Sequence, residues 1–536
     1  MGDLKEQKFQ KPELPDKWKG TLNAKEYGPA CMSNTSSTSH PAKWIDEDCL
    51  HVNIFTSEKC LKSKDCAVAV YIHGGELFYD SAVMFNDTVI FEAFASRDVV
   101  VAIPAYRLGI FSHFAVEDQS VAPTNLALHD IVHGLKFVKS EIRNFGGDNK
   151  KITLFGHSYG AHVVSTLQFS TKVNMDRSLF QQTVSMSTVL YFDPLNDQIE
   201  KTKRFAEHAN CSAPAENKLS TREQDVYTME CLQNKTGTEL LRIQRSLEDA
   251  GFPSYDGLVM REPLIQEVPF ARLFDTPKNM PSMIGCTFEE LDKAMAYHDI
   301  ARSMGYENHK ECDEKYRKDK KERNYDFGGH ADETLGIMAQ TQLKVNKLLE
   351  KDVPTYFYEY SYPKHAFHTE DLSYLFGTHA FEQDENEVHL SEVYRKIFTN
   401  FVKFGEPGGD FVRSTHLNAS SYYNVYWNET TGEKPKMKKI FEPRVTHYFM
   451  EEMFEYDRNV TELKKSKVPK VPSARFLKEI APPDQLPYLY ISVLLISLMF
   501  FTGCVVGKIC CAEPRDRFLY IRLDGNDHDW YTVKNF

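Results

Sequence analysis

The sequence predicts an α/β protein, with a mostly parallel central sheet flanked by helices, followed by one membrane-spanning helix. Residues 20–460 alternate short apolar runs with helical stretches, which is typical of a parallel sheet covered by helices. Residues 150–165 pass from a β-branched run to a helix-like run through the turn Gly-x-Ser-x-Gly. A run of 22 residues without charge, at 486–507, is long enough to cross a bilayer.

The clearest strand signals are three β-branched apolar runs, at 67–75, 99–107 and 151–155. The clearest helix signal is residues 124–142, where apolar residues recur at helical spacing. Residues 309–326 are strongly charged and are expected to form a solvated helix or loop. The third strand leads directly into the glycine–serine turn.

The turn itself places a hydroxyl between two glycines, Gly156 and Gly160. These glycines lack the Cβ atoms that would collide where the strand and the following helix, 161–169, nearly touch. A tight turn of this kind lifts Ser158 out of the sheet and puts the next N–H group at a helix N-terminus. The pattern indicates a nucleophile, although the same five residues also occur in ordinary loops.

Charge and cysteine usage exclude some classes of protein. The formal net charge is −12, acidic and basic residues are interspersed, and there is no basic stripe, so nucleic-acid binding is not expected. The first eight of the 11 cysteines show no CxxC spacing, which favours disulfides over a metal site. Proximity along the chain predicts that Cys60 pairs with Cys66.

The chain has features of a secreted domain attached to a membrane. Residues 461–485 are polar and contain prolines, as expected of a stalk before the span at 486–507. Basic residues in the tail, 508–536, predict a cytoplasmic C-terminus and therefore an extracellular or luminal N-terminal domain. Residues 1–20 contain no apolar signal-peptide core, and a missing upstream segment is one explanation. Candidate glycosylation sites are Asn34, Asn86, Asn210, Asn234, Asn418, Asn428 and Asn459.

Several motifs, in a fixed order, resemble the type-B carboxylesterase/cholinesterase family. Residues 46–56 resemble its second signature, and residues 144–161 resemble its active-serine signature. Residues 106–109, 230–241 and 403–407 also fit the family. The resemblance implies an α/β-hydrolase fold over residues 8–460, without the family's usual N-terminal strands.

The resemblance also assigns catalytic roles that the order Ser, acid, His alone leaves open. It implies that Ser158 is the nucleophile and that His368, in the segment 366–377, is the base. Glu290 is the expected acid, with Glu289 as the rival. Such a triad transfers an acyl group through an acyl-enzyme and requires neither a metal nor a cofactor.

Two positions depart from the family. Its His-Gly-Gly-Gly loop reads His-Gly-Gly-Glu at 73–76, so the expected oxyanion donors are the backbone N–H groups of Gly75, Glu76 and Tyr159. A carboxylate on Glu76 would repel a developing oxyanion. His157 stands where the family's animal esterases usually have an acidic residue.

Two function classes therefore remain open. The complete serine–glutamate–histidine set favours a membrane-anchored hydrolase that acts on small-molecule carboxylic esters. Glu76 and the anchor favour a cholinesterase-like adhesion or receptor protein, of the neuroligin or gliotactin type, with a protein partner at the cell surface. For either class, the resemblance pairs the cysteines as Cys31–Cys49 and Cys211–Cys231.

Overall fold

The computed structural model describes residues 4–15, 19–33, 44–188, 190–214, 218–293, 299–467, 519–521 and 531–533. In chain order, the strands before the C-terminal segment are β1 Ala30–Cys31, β2 Ile45–Asp46, β3 Val52–Phe55, β4 Cys66–Ile72, β5 Val99–Pro104, β6 Gly147–His157, β7 Gln182–Met186, β8 Ser282–Thr287, β9 Thr355–Tyr360, β10 Tyr422–Val425 and β11 Lys436–Lys438. Strands β3 to β11 form one sheet in the order β11-β10-β9-β8-β7-β6-β4-β5-β3. Only the outermost pairs, β3 with β5 and β10 with β11, are antiparallel. The predicted mostly parallel sheet is confirmed.

Helices connect and cover these strands. They are α1 Leu4–Gln7, α2 Glu58–Ser63, α3 Asp87–Ala93, α4 Ile110–His113, α5 Leu126–Glu141, α6 Tyr159–Phe169, α7 Leu195–His208, α8 Thr221–Gln233, α9 Gly237–Asp249, α10 Ile300–Ser303, α11 His309–Glu322, α12 Asp332–Leu349, α13 Ser373–Phe376, α14 Glu385–Phe404, α15 Pro443–His447 and α16 Met453–Lys467. The predicted helix at 124–142 is α5, and residues 309–322 of the charged segment form α11.

The predicted strands are present, but their ends differ from the expected ones. Strand β4 stops at Ile72 rather than at residue 75, because the chain turns sharply through Gly75, whose φ is 87°. Strand β6 extends in both directions beyond the predicted 151–155. It ends at His157, immediately before the predicted nucleophile.

Helices cover both faces of the sheet near its centre. Successive residues of a strand point to opposite faces, and β6 shows this directly. Phe155 stacks on Phe398 of α14, with ring centroids 5.4 Å apart. The next residue, Gly156, lies against Gly160 of α6 on the other face. Burial of both faces explains why β4 and β5 are apolar throughout rather than alternating.

The expected disulfides are present. Cys31 is bonded to Cys49, Cys60 to Cys66, and Cys211 to Cys231. In the part of the chain that the structure describes, Cys286 and Cys312 are buried free thiols.

The C-terminal region is described only in part. Helix α16 runs to Lys467, so the predicted boundary at residue 460 falls inside a helix. Residues 461–467 contain no proline or glycine that would end that helix earlier. Further along, β12 Leu519–Ile521 pairs antiparallel with β13 Tyr531–Val533. None of the described helices combines the length and apolar character that a bilayer crossing requires, and the predicted span at 486–507 lies outside the described residues.

Candidate active site

Ser158 occupies a strained turn between β6 and α6. Its backbone has φ 55° and ψ −127°, a combination that side-chain-bearing residues rarely adopt. The backbone N–H of Ser158 donates to the carbonyl of Met186, at the end of the neighbouring strand β7, at 3.0 Å. This is the geometry of a nucleophile elbow, which exposes the serine hydroxyl at the carboxyl edge of the sheet.

Three glycines make this turn possible by allowing backbone segments to touch. A Cβ on Gly160 would lie 2.0 Å from the carbonyl oxygen of Ile72, and one on Gly156 would lie 2.4 Å from the carbonyl carbon of Gly160. Both distances are far below van der Waals contact. A Cβ on Gly74 would lie 3.0 Å from the Cβ of Ser158, so the loop after β4 passes directly beside the serine. The close approach expected from the two motif glycines is confirmed.

Glu290 and His368 form an acid–base pair in which the glutamate is buried and the histidine is half-buried. His368 Nδ1 lies 2.6 Å from Glu290 Oε2, and the other carboxylate oxygen accepts a hydrogen bond from the Thr287 N–H at 2.7 Å. The backbone N–H of His368 also donates to the Glu290 carbonyl at 2.8 Å. The rival residue, Glu289, donates its backbone N–H to the carbonyl of Ala366. The carboxylate that reaches the histidine is therefore that of Glu290, which is 1% exposed.

The residue before the serine contacts the pair, but the serine itself is not bonded to it. The ring of His157, the residue before the nucleophile, lies 4.6 Å from the ring of His368. Among the described residues, the hydrogen bonds of His368 go to Glu290, and none joins it to Ser158 Oγ. The nucleophile–base contact is often longer without substrate and shortens when substrate binds.

Two of the three predicted oxyanion donors, Gly75 and Glu76, lie in the loop after β4. Gly75, Glu76 and Leu77 all have positive φ, at 87°, 55° and 57°. The Tyr106 hydroxyl donates to the carbonyl of His73 at 2.7 Å and holds the start of this loop. Across from it, Tyr159 is the first residue of α6, so its N–H has no acceptor within the helix.

Glu76 brings a carboxyl group into the electrostatic field of His368. Water reaches its side chain, yet the surrounding protein removes enough solvent to raise the pKa of Glu76 to about 7. This loss of surrounding solvent is the main cause of the raised pKa. The negative charge of Asp256 raises the pKa further, and His368 lowers it. Near neutral pH, this carboxyl is therefore divided between its protonated and ionised forms.

Further titratable groups surround the pair. Burial lowers the pKa of His157 well below its usual value, and the charges of His368 and His379 act in the same direction. Burial raises the pKa of Asp371 to about 7, and its carboxylate accepts a hydrogen bond from the Tyr394 hydroxyl at 2.8 Å. Sequence reasoning missed Asp371 and His379. The only signal for Asp371 was its position three residues after His368.

The described residues contain no metal cluster, and one cavity of the structure lies away from the site. A cavity of about 240 Å³ lies elsewhere, between residues 7–15, residues 46–50 and Arg107. In the portion described, no group of three or more His, Cys, Asp or Glu side chains could hold a metal ion. The site is therefore identified by the contact between Glu290 and His368 and by the turn that holds Ser158.

The predicted glycosylation sites differ in exposure. Asn210, Asn234, Asn418 and Asn459 are exposed, whereas Asn86 and Asn428 are half-buried. Asn34 lies outside the described residues.

Comparison with known proteins identifies relatives along most of the chain. The sequence model of the carboxylesterase family matches residues 3–342 and 308–456. Liver carboxylesterase 1F from Rattus norvegicus is 26% identical over 473 residues, which cover 76% of this chain and 80% of the relative. Juvenile hormone esterase from Tribolium castaneum is 25% identical over 522 residues, which cover 83% of each chain.

A solved structure has the same fold. The crystal structure of juvenile hormone esterase from Manduca sexta, with OTFP covalently attached, matches with a TM-score of 0.67. The match covers 84% of this chain and 92% of the other, at 19% sequence identity. It supports the α/β-hydrolase fold.

Proposed function

Because the chain belongs to the carboxylesterase family, we propose that it is a serine hydrolase that cleaves carboxylic esters through an acyl-enzyme. The observation that carries the proposal is the 2.6 Å contact between Glu290 and His368 beside the nucleophile elbow. A hydroxyl becomes a useful nucleophile only when a base accepts its proton and an acid orients that base.

In the proposed reaction, His368 accepts the proton of Ser158 as the serine oxygen attacks the ester carbonyl. Glu290 holds the proton on His368 Nδ1, so Nε2 is the nitrogen that accepts, and the carboxylate stabilises the imidazolium that forms. His368 then gives its proton to the departing alcohol. In the second half, His368 removes a proton from water as the water attacks the acyl-enzyme, and it returns that proton to Ser158 as the bond to the acyl group breaks and the acid leaves.

The negative oxygen of the tetrahedral intermediate needs fixed donors. The backbone N–H groups of Gly75, Glu76 and Tyr159 lie on the two segments that flank Ser158. One such donor is worth about 3 kcal/mol of transition-state stabilisation in comparable sites. The protonated form of Glu76 leaves this region uncharged, whereas its carboxylate opposes the developing charge.

We also propose that the domain is extracellular or luminal, glycosylated, and anchored through residues 486–507. Three disulfides and four exposed acceptor asparagines support an oxidising compartment. Treating intact cells with a membrane-impermeant protease tests the orientation. Protection of the N-terminal domain in cells that carry the protein at the surface would contradict it.

Labelling of the serine tests the hydrolase. The full chain in detergent is expected to turn over a p-nitrophenyl ester and to bind a fluorophosphonate, and Ser158→Ala should abolish both, with a loss of at least about 1,000-fold in kcat. Ser165→Ala, on the helix that follows the elbow, is the matched control and should retain both. The proposal fails if the folded wild-type chain neither labels nor turns over, or if labelling persists in Ser158→Ala.

A further inference from the structure

Glu290 has a backbone conformation that needs support from the residues around it. Its φ is 26°, in the left-handed region that residues with side chains rarely adopt. Such a conformation persists only where neighbouring contacts hold it. On one side, the carbonyl of Glu290 accepts the N–H of His368 at 2.8 Å, and Glu290 forms a β-bridge with Phe367. The contacts on the other side come from the start of α12.

Thr334, in the first turn of α12, contacts the residues immediately before and after the acid. Its hydroxyl accepts the backbone N–H of Leu291 at 3.0 Å and donates to the carbonyl of Glu289, 3.3 Å away. Thr334 is 0% exposed, so water competes little for these two bonds. One side chain from another element therefore spans the residue that orients the base.

A second set of contacts joins the same turn to the same helix. The Asp292 carboxylate accepts the N–H of Ala331 at 2.9 Å and lies 2.7 Å from Nδ1 of His330. Burial acts to raise the pKa of Asp292, but the hydrogen bonds of His330, Thr334 and Ala331 outweigh burial and lower it. The carboxylate therefore stays charged near neutral pH and able to accept these bonds.

We propose that Thr334 is a positioning residue for the catalytic acid: its hydroxyl fixes the turn at 289–291 so that the carboxylate of Glu290 meets His368. The inference deepens the proposed function and rests on it in treating Glu290 as the acid of an ester hydrolase. Both hydrogen bonds of the hydroxyl go to the turn, so Thr334 acts through Glu290. A displacement of about 1 Å can cost about 100-fold in rate, so even a small relaxation of the turn is measurable.

Substitutions of similar shape test this role. Thr334→Val keeps a branched side chain but removes the hydroxyl, so both hydrogen bonds are lost. In the full chain in detergent, kcat for a p-nitrophenyl ester should fall at least about tenfold, because the acid is displaced. KM should stay within about twofold, because Thr334 acts on the orientation of the acid and not on substrate binding. Thr334→Ser restores the hydroxyl and should bring kcat back to within about threefold of the wild type.

Thr341→Val is the matched control. Thr341 lies on the same helix and is also 0% exposed, but within the described chain its Oγ1 atom has no hydrogen-bond partner. The same substitution there should leave kcat and KM within about twofold of the wild type.

A spectroscopic measurement reports the position of Glu290 without requiring ester hydrolysis. The His368 N–H that donates to Glu290 at 2.6 Å should give a proton magnetic resonance signal at unusually low field. The signal is assigned by its change in Glu290→Gln. It should be lost or move upfield in Thr334→Val and stay in place in Thr334→Ser and Thr341→Val, because only the first of these variants releases the turn.

Four results would overturn the inference. They are a fall in kcat of less than about tenfold in folded Thr334→Val, a change in KM in place of kcat, an unchanged low-field signal in that variant, and an equal loss in Thr334→Ser or Thr341→Val. If Thr334→Val does not fold, Thr334→Ala, which also lacks the hydroxyl, decides by the same criteria.

Failure of the proposed function is distinguishable from failure of this inference. A folded wild-type chain without ester turnover rejects the hydrolase, and the low-field signal then decides the role of Thr334 alone. A wild-type chain without that signal overturns the inference, because the contact between Glu290 and His368 would not be formed.

Discussion

The candidate site has two halves, one shaped by backbone conformation and the other by contacts between side chains. One half is backbone, in the elbow at 156–160 and the loop at 73–77, where positive φ values and carbonyl contacts set the shape. The other half is side chain, where Glu290 and His368 meet from turns far apart in sequence. The backbone half is therefore sensitive to added bulk, and the side-chain half to changes in charge and hydrogen bonding.

Substitutions in the backbone half should therefore mainly change stability, and substitutions in the side-chain half should mainly change activity. In the elbow, an extra carbon has no space because the facing atoms are carbonyl groups that cannot move independently of the sheet. In the acid–base pair, a substitution of equal size fits the space but changes which atom donates. Glu76 links the two halves, since it places a titratable side chain on the backbone-built loop.

The largest expected effect comes from the side-chain half. Glu290→Gln keeps the shape but presents an amide to His368, which favours the wrong tautomer, so kcat should fall about 10⁴-fold. The unfolding midpoint should change little because the side chain retains its volume and an acceptor for Thr287. Ester turnover and thermal unfolding measured on the same preparation check both statements.

Glu289→Gln is the matched control, and its activity should remain within about threefold of the wild type. Equal losses in the two variants would show that the position of the carboxylate does not decide the activity.

The second prediction concerns the backbone half. Gly160→Ala forces a Cβ toward the Ile72 carbonyl, 2.0 Å away, and should lower the free energy of unfolding by about 3 kcal/mol or more. Urea denaturation followed by circular dichroism measures this. Gly409→Ala is the control: its φ is also positive, at 63°, but nothing lies within 4 Å. It should cost only about 1 kcal/mol, and a similar cost for both variants would reject the steric argument.

The smallest expected effect concerns the charge on Glu76. Its pKa is raised to about 7, so the carboxyl is protonated below that pH and ionised above it. As the pH rises through this value, the carboxylate should oppose the oxyanion and kcat/KM should fall. Glu76→Gln removes this fall, with a gain of about tenfold at pH 8.5 and little change at pH 6.

Glu76→Asp keeps the charge and should retain the fall in kcat/KM at high pH. The same alkaline profile in the wild type and in Glu76→Gln would show that this carboxyl does not act on the oxyanion.

The elbow could be predicted from sequence because its constraints are local. A buried strand, a helix and two glycines within a few residues leave one compatible turn, and the structure places Ser158 in it. The choice between Glu289 and Glu290 could not be read in this way. Glu289 and Glu290 are adjacent, and they differ in the direction in which the turn after β8 points each side chain. The backbone β-bridge between Glu290 and Phe367 fixes that direction.

By itself, the sequence determined the α/β alternation, the glycine–serine turn and, through its motifs, the family of this protein. Only the tertiary structure decided that Glu290 meets His368 across 78 residues of sequence, that His157 packs on that histidine, and that Glu76 lies in the field of the base. The physical reason is the range over which each kind of interaction acts. Steric rules act between neighbours in the chain, whereas contact and electrostatic effects depend on distances that the order of the strands sets.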